Sequence, residues 1–319
     1  MRARPLAELA VLATFAAVPP VMAWLDQPFY LDLASRIMIF AIAAISLDLI
    51  LGYGGMVSFG HAVYIGIGAY CVAIPAFYGI ENGWAQFAIA IAVSAGFAAA
   101  IGAVCLRTSG VYFIMITLAF AQMLFYLGIS LEPYGGDDGL PAVRSDFGLG
   151  LDLYDDEHFY YLVFAVLVAT LLLCRRLVGS RFGLVVRGSR SNLPRMQAIG
   201  FPTYRYRLAC FVIAGVICGI AGALFANWNE FASPAYMHWT RSGELIIMVV
   251  MGGMATLLGP VLGAALFLLL EEYLPTAIEV VAPGYGDFWA VVFGPILILI
   301  VLFGRGGVYG IAARLGRRP

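Results

Sequence analysis

The sequence predicts an all-α integral membrane protein: a single transmembrane domain over residues 1–319 with about ten membrane helices, some of them short or broken. Three observations predict it. The chain is 62% hydrophobic with a mean hydropathy of +0.93, whereas soluble domains hold about 45–50% apolar residues, so a water-soluble globule of this composition could not hide its apolar surface. Apolar runs of span length follow one another from end to end, and 319 residues have room for roughly ten spans of about 20 residues with short connections and no additional soluble domain. Charged residues make up only 12% of the chain and are sorted into blocks of one sign.

The N-terminal "MRARPLAELAVLATFAAVPPVMAW" has the basic start and apolar run of a signal peptide. No A-x-A-like cleavage site follows and Pro19-Pro20 interrupts the run, so it reads as a first span over about residues 6–25. Further apolar runs cover about 33–51, 57–79, 84–106, 110–131, 159–177, 207–228, 244–272 and 287–303. The run 244–272 is too long for one ordinary span. Gly252-Gly253 and Gly259-Pro260 in "MGGMATLLGPVLGA" disfavour a continuous helix there, which predicts one bent span or two short ones.

Charge assigns the sides. Cytoplasmic segments collect basic residues, so the start "MRAR", the loop at about 178–206 and the tail "GRGGVYGIAARLGRRP" are expected inside. The loop at about 132–158 carries eight acids, Glu132, Asp137, Asp138, Asp146, Asp152, Asp155, Asp156 and Glu157, against Arg144 alone, and is expected outside. With both termini inside the number of crossings is even. A split at Gly259-Pro260 gives ten and puts Glu271, Glu272, Glu279 and Asp287 outside. A shared G-x-x-G, Gly52/Gly55 and Gly219/Gly222, suggests an internal repeat.

Composition also excludes chemistry. All 18 Lys and Arg positions are arginine, so no Walker A lysine and no Schiff-base lysine exists, and any use of ATP must come from a partner. Cys71, Cys105, Cys174, Cys210 and Cys218 lie in or beside apolar runs without C-x-x-C spacing and read as core residues. His61, His158 and His238 stand far apart with no catalytic motif around them. Neither enzyme activity, a cofactor nor a metal is expected. The net charge of −1 by itself says nothing about nucleic acid or acidic partners, and no nucleic-acid partner is expected.

The stretch Arg175–Arg207 holds eight arginines and no acid. Topology and anchoring to anionic lipid account for loop charge in most membrane proteins, but this loop has local structure too. "SRSNLPRMQAIGFPTYRYR" opens with capping residues, offers a short helical run from Leu193 to Ile199, and stops at Gly200 and Pro202. A short helix in a cytoplasmic loop suits docking onto another protein.

The run "GLVVRGSRSNLPRMQAIGFPTYRYRLACFVIAGVICGIAGALFANWNEFASP" resembles the cytoplasmic coupling loop and following span of LivM-type permeases of branched-chain amino acid ABC transporters. "LDLILGYGGMVSFGHAVYIGIGAYCVA", "LRTSGVYFIMITLAFAQML" and "YGGDDGLPAV" resemble the second and third spans, the fifth span and the external loop of that family, in family order, from Asp48 to Gly263. The resemblance implies a permease that carries branched-chain amino acids, or similar small amino acids or amides including urea, across the bacterial inner membrane. It further implies two cytoplasmic ATP-binding subunits, a second homologous permease and a periplasmic binding protein as partners. It assigns Ala198, Ile199 and Gly200 to the coupling helix. The family usually places a glutamate near Leu193, which this chain lacks, so Arg190, Arg195 or Gln197 stands in its place.

The residues themselves mark a candidate pathway. Ser58 and His61 are polar groups within a glycine-rich apolar run, where polar side chains face a cavity or another helix. The glycines around them read as close helix packing. Asp48, late in a span, is either a functional group or hydrated near the interface, and the family more often has Asn there. Thr117 and Gln122 are expected to make interhelical hydrogen bonds or, as the lesser alternative, to touch substrate. Glu230, Arg241 and Glu244 bracket an external connection that is either solvated or a docking surface for a binding protein. The rival reading is an ion-coupled secondary transporter or channel using Asp48 and His61 as its proton or sodium site.

Overall fold

The computed structural model describes residues 3–25, 28–148, 153–281, 284–303 and 306–310. Arg2, Arg305, the arginines of residues 311–319 and residues 149–152 of the acidic loop, which enter the charge argument, lie outside the described residues.

The fold is a helical bundle. Helix α1 (Ala3–Leu25) keeps Pro19 and Pro20 inside it, so the prolines do not interrupt the run as expected, in keeping with the tolerance of proline in apolar spans. α2 (Pro28–Asp48) leads directly into a π-helical turn, Leu49–Tyr53. Then come α3 (Val63–Phe77), α4 (Gly83–Cys105) and α5 (Val111–Ile129). The expected run 57–79 is therefore corrected: its first residues are not helical, because they are held by side chains of other helices. α6 (Asp156–Gly179) enters the arginine loop, which holds two helices, α7 (Arg181–Ser191) and α8 (Leu193–Ala198), where one was expected. α9 (Thr203–Asn229) is followed by α10 (Trp239–Gly252), α11 (Gly259–Val281) and α12 (Trp289–Phe303). The long apolar run does divide, but over residues 253–258. Gly259-Pro260 opens α11, where a first-turn proline loses no intrahelical bond.

Among the described residues six helices are long and apolar enough to cross a membrane: Pro28–Tyr53, Gly83–Cys105, Val111–Ile129, Asp156–Gly179, Thr203–Asn229 and Gly259–Val280. Of their most apolar windows, 94% of the α2 residues are buried and 61% of those in α9, against 28% for the other four. α2 is apolar all round from Ile37 to Ile45, the pattern of a helix enclosed on every side. It packs against α6, α9, α10 and α11.

Small residues set the closest crossings. A Cβ on Gly68 of α3 would overlap the Gly219 carbonyl of α9, and one on Gly222 would overlap the Ile65 carbonyl. A Cβ on Gly263 of α11 would overlap the Met248 carbonyl of α10. Such backbone contact is how helices gain packing energy where lipid competes equally for apolar side chains. The two G-x-x-G segments adopt different structures, Gly52 and Gly55 at a π-turn and Gly219 and Gly222 inside a regular helix.

At the acidic end, β1 (Leu140–Pro141) pairs antiparallel with β2 (Phe231–Ala232). Arg144 meets Asp156 at 3.0 Å and Glu230 at 3.0 Å and lies over the Phe159 ring. The lone base of the acidic loop thus ties it to α6 and to the end of α9.

Candidate functional site

The bundle contains a stretch of irregular backbone between α2 and α3, residues 54–62, with Ser58 and His61 buried in it. Backbone amides inside an apolar bundle need partners, and hydroxyls from surrounding helices supply them. Phe59 N–H donates to Thr117 Oγ1 of α5 at 3.3 Å, and Ala62 N–H donates to Ser242 Oγ of α10 at 3.0 Å. Gly60 N–H donates to Ser58 Oγ at 3.3 Å, and the Cys218 thiol of α9 reaches the His61 carbonyl. Thr117 Oγ1 also donates to Ile114 O at 2.9 Å, so its hydroxyl serves the irregular segment and its own helix.

The His61 ring is fixed by the same logic. Ser46 Oγ donates its one proton to Ala43 O at 2.6 Å, so it accepts from His61 Nε2, 2.8 Å away. That assigns the proton to Nε2 and leaves Nδ1 as a buried acceptor without a hydrogen-bond partner among the described residues. The ring packs edge-on against Tyr64.

Asp48 joins two distant discontinuities. Its Oδ1 accepts the Ala255 N–H at 2.8 Å in the break between α10 and α11. Ala255 has φ 57° and Gly253 has φ 117°. Left-handed alanine costs about 1–2 kcal/mol, and the carboxylate helps hold it. Four residues on, the Gly52 carbonyl accepts from the Arg190 guanidinium of α7. A Cβ on Gly52 would overlap the Asp48 carboxylate, and one on Gly55, φ 69°, would lie 2.7 Å from Arg190 Cγ. A cleft of about 450 Å³ opens beside these residues, lined by Gly52, Tyr53, Arg187, Arg190, Ser191 and Ala255.

The arginine loop presents a different kind of surface. Ser180 caps α7, and Asn192 caps α8 by accepting the Arg195 N–H at 3.0 Å. α8 ends at Ala198, and Gly200 turns the chain at φ 96°. Among the residues of α8 none is buried. Arg195, Gln197, Ala198 and Gly200 are exposed, Ile199 is 64% exposed and Phe201 is 40% exposed. Gln197 Nε2 donates to Thr203 Oγ1 at 3.3 Å, closing the loop onto α9.

The expected residues therefore fall into two groups. Asp48, Ser58, His61, Thr117 and Arg190 gather about residues 48–62, while Arg195, Gln197, Ala198, Ile199 and Gly200 are exposed on α8 and the turn that follows it. Gln122 stands apart, half-buried on α5. Sequence reasoning missed Ser46, Ser242 and Ala255. Gly252-Gly253 was the available signal for the third; the serines carried none, being single hydroxyls in apolar runs. Arg241 and Glu244, in the first turns of α10, pair at 2.8 Å.

A bundle of long apolar helices with a broken helix pair and a stretch of irregular backbone has the architecture of a multi-pass membrane protein. Comparison with known proteins gives the family: residues 29–301 match the branched-chain amino acid transport system / permease component, and the chain belongs to that family. The high-affinity branched-chain amino acid transport system permease protein LivM of Salmonella typhimurium is 26% identical over 301 residues, covering 87% of this chain and 69% of that protein. LivH of the same kind of system in Escherichia coli is 24% identical, covering 85% of this chain and 91% of LivH. The autoinducer 2 import system permease protein LsrC of Yersinia enterocolitica is 26% identical, covering 83% and 74%. No solved structure matches.

Proposed function

We propose that the chain is the permease subunit of an ATP-binding cassette importer that moves branched-chain amino acids, or similar small amino acids or amides, across the bacterial inner membrane. α8 carries the reading. It is a short, capped helix with no buried residue, bearing Ala198 and adjoining the exposed apolar Ile199 and Phe201 in a loop rich in arginine. Exposed apolar groups on such a loop suit the cleft of an ATP-binding subunit, with Arg195 and Gln197 around them, while Arg190 is engaged by the Gly52 carbonyl.

In this reading α1–α6 and α9–α12 make ten crossings. Both termini and α7–α8 are cytoplasmic, and the acidic loop faces a periplasmic binding protein. Tyr204 Oη, at the start of α9, donates to Ala103 O near the end of α4, and Arg190 meets the end of α2; both contacts support a common side for these ends. Asp48, Ser58, His61, Thr117 and Gln122 are the pathway candidates. An apolar groove of about 310 Å³ between α3, α4 and α5, lined by Tyr70, Cys71, Phe97, Leu124, Leu127 and Met237 among others, is no rival path. A zwitterionic amino acid loses its hydration there without gaining partners.

A second homologous permease, two ATP-binding subunits and a binding protein complete the machine. Tagged chain drawn from native membranes in mild detergent tests this: ATP-binding subunits and a second permease should co-purify. A monodisperse homodimer without them contradicts it.

A further inference from the structure

Two uncommon backbone features meet at the arginine end of the bundle, the π-helical turn Leu49–Tyr53 and the left-handed Ala255. Strained or irregular backbone persists where its surroundings over-determine it, and it concentrates at moving parts. Here the surroundings are two polar contacts four residues apart: Asp48 to the Ala255 amide, and Arg190 to the Gly52 carbonyl. Arg190 stands in the last turn of α7, directly before α8. Its stem crosses Gly55 so closely that only glycine fits beneath it.

We propose that Arg190 is a positioning residue that carries movement of α7 and α8 into the segment Gly52–Ala62, and through Thr117 and Ser242 into α5 and α10. The inference rests on the permease reading above. The segment is attached at its two ends to different bodies. At one end it hangs from the arginine loop by Arg190. At the other its amides are held by hydroxyls of α5 and α10. Between those ends it has no regular helix of its own, so its backbone can change shape without breaking a run of helical hydrogen bonds. The π-turn supplies a discrete alternative, since tightening it to α-helical spacing shifts Gly52 relative to Asp48. The cleft lined by Arg187, Arg190 and Ala255 leaves the guanidinium space to swing. An arginine that only anchored the loop to lipid would point its charge outward; this one donates inward to a backbone carbonyl.

The test uses the whole complex purified from native membranes, with a cysteine reporter, Ser58→Cys, in the irregular segment. The rate of its modification by a methanethiosulfonate reagent is measured with and without ATP and vanadate, corrected for the parent protein with its five buried cysteines. With Arg190 present, nucleotide should change the rate about tenfold, within the range of ordinary allosteric couplings. Arg190→Gln should abolish that response while the ATP-binding subunits still co-purify, and Arg190→Lys should restore part of it. A full response in Arg190→Gln overturns the proposal. Loss of the ATP-binding subunits from Arg190→Gln also overturns it, because Arg190 would then be a docking residue. If Arg190→Gln does not accumulate, Gly55→Ala, which crowds the arginine stem, takes its place and should weaken the response; an unchanged response overturns the relay. A Ser58 reporter indifferent to nucleotide although the ATP-binding subunits are present rejects the relay alone. A complex that never contains them rejects the permease reading itself.

Discussion

Asp48 shows what a single residue can declare in a sequence and what it cannot. An acid late in an apolar span is conspicuous, because the cost of burying it demands a purpose. Its partner is not, since Ala255 lies 207 positions away and carries no side-chain signal of its own. The carboxylate is an acceptor for a strained amide, a task that a carboxamide oxygen also performs, which fits the Asn expected in the family. Asp48→Asn should therefore keep the fold, while Asp48→Ala should destabilise it by about 1–3 kcal/mol, the cost of orphaning a buried donor. Thermal unfolding in detergent checks the pair, and equal stability of Asp48→Ala and the parent contradicts the capping role. His61 was equally visible and equally opaque: its position was legible, but its tautomer depends on Ser46, which only the packed bundle brings beside it.

At the scale of elements, legibility follows how local the deciding forces are. α8 could be read because Asn192, Gly200 and Pro202 are neighbours in sequence that cap and stop it. The start of α3 could not, because Thr117 and Ser242 hold residues 59 and 62 from other helices. α7 was hidden for another reason: its arginines read as charge, and the buried side formed by Val185, Val186 and Ser189 shows only once α9 is placed against it. The division of the run 244–272 was legible to within a few residues, glycine and proline being the markers. For α8 the account makes a sharp claim. If the loop only set topology, rearranging its side chains at constant charge would be harmless. Ala198→Trp should instead leave membrane insertion intact and weaken attachment of the ATP-binding subunit by about 1–3 kcal/mol through overpacking, whereas Arg181→Gln, one exposed charge among eight, should change little. Co-purification of the subunit with each variant reads the outcome, and normal attachment of Ala198→Trp would reduce the loop to an electrostatic anchor.

At the scale of the whole molecule, fold class was legible from hydropathy because the bilayer imposes it on every span, and charge sorted by loop supplies the expected sides. What hydropathy could not give is which helices are central. α2 and α4 are both strongly apolar, yet the α2 window is 94% buried and the α4 window 28%, a difference made by packing partners. The topology itself predicts that cysteines placed at Asp138 and Ser191, both exposed, react with impermeant reagents from opposite sides of the membrane; labelling of both from one side overturns it. The central claim is that this bundle moves solute only when its arginine loop is driven by ATP-binding subunits. Uptake of labelled leucine, isoleucine, valine and urea into proteoliposomes tests it most directly. The account predicts uptake that needs ATP, the ATP-binding subunits and the binding protein together, and none from the chain alone. Uptake by this chain alone under a proton or sodium gradient would contradict it and make Asp48 and His61 an ion site.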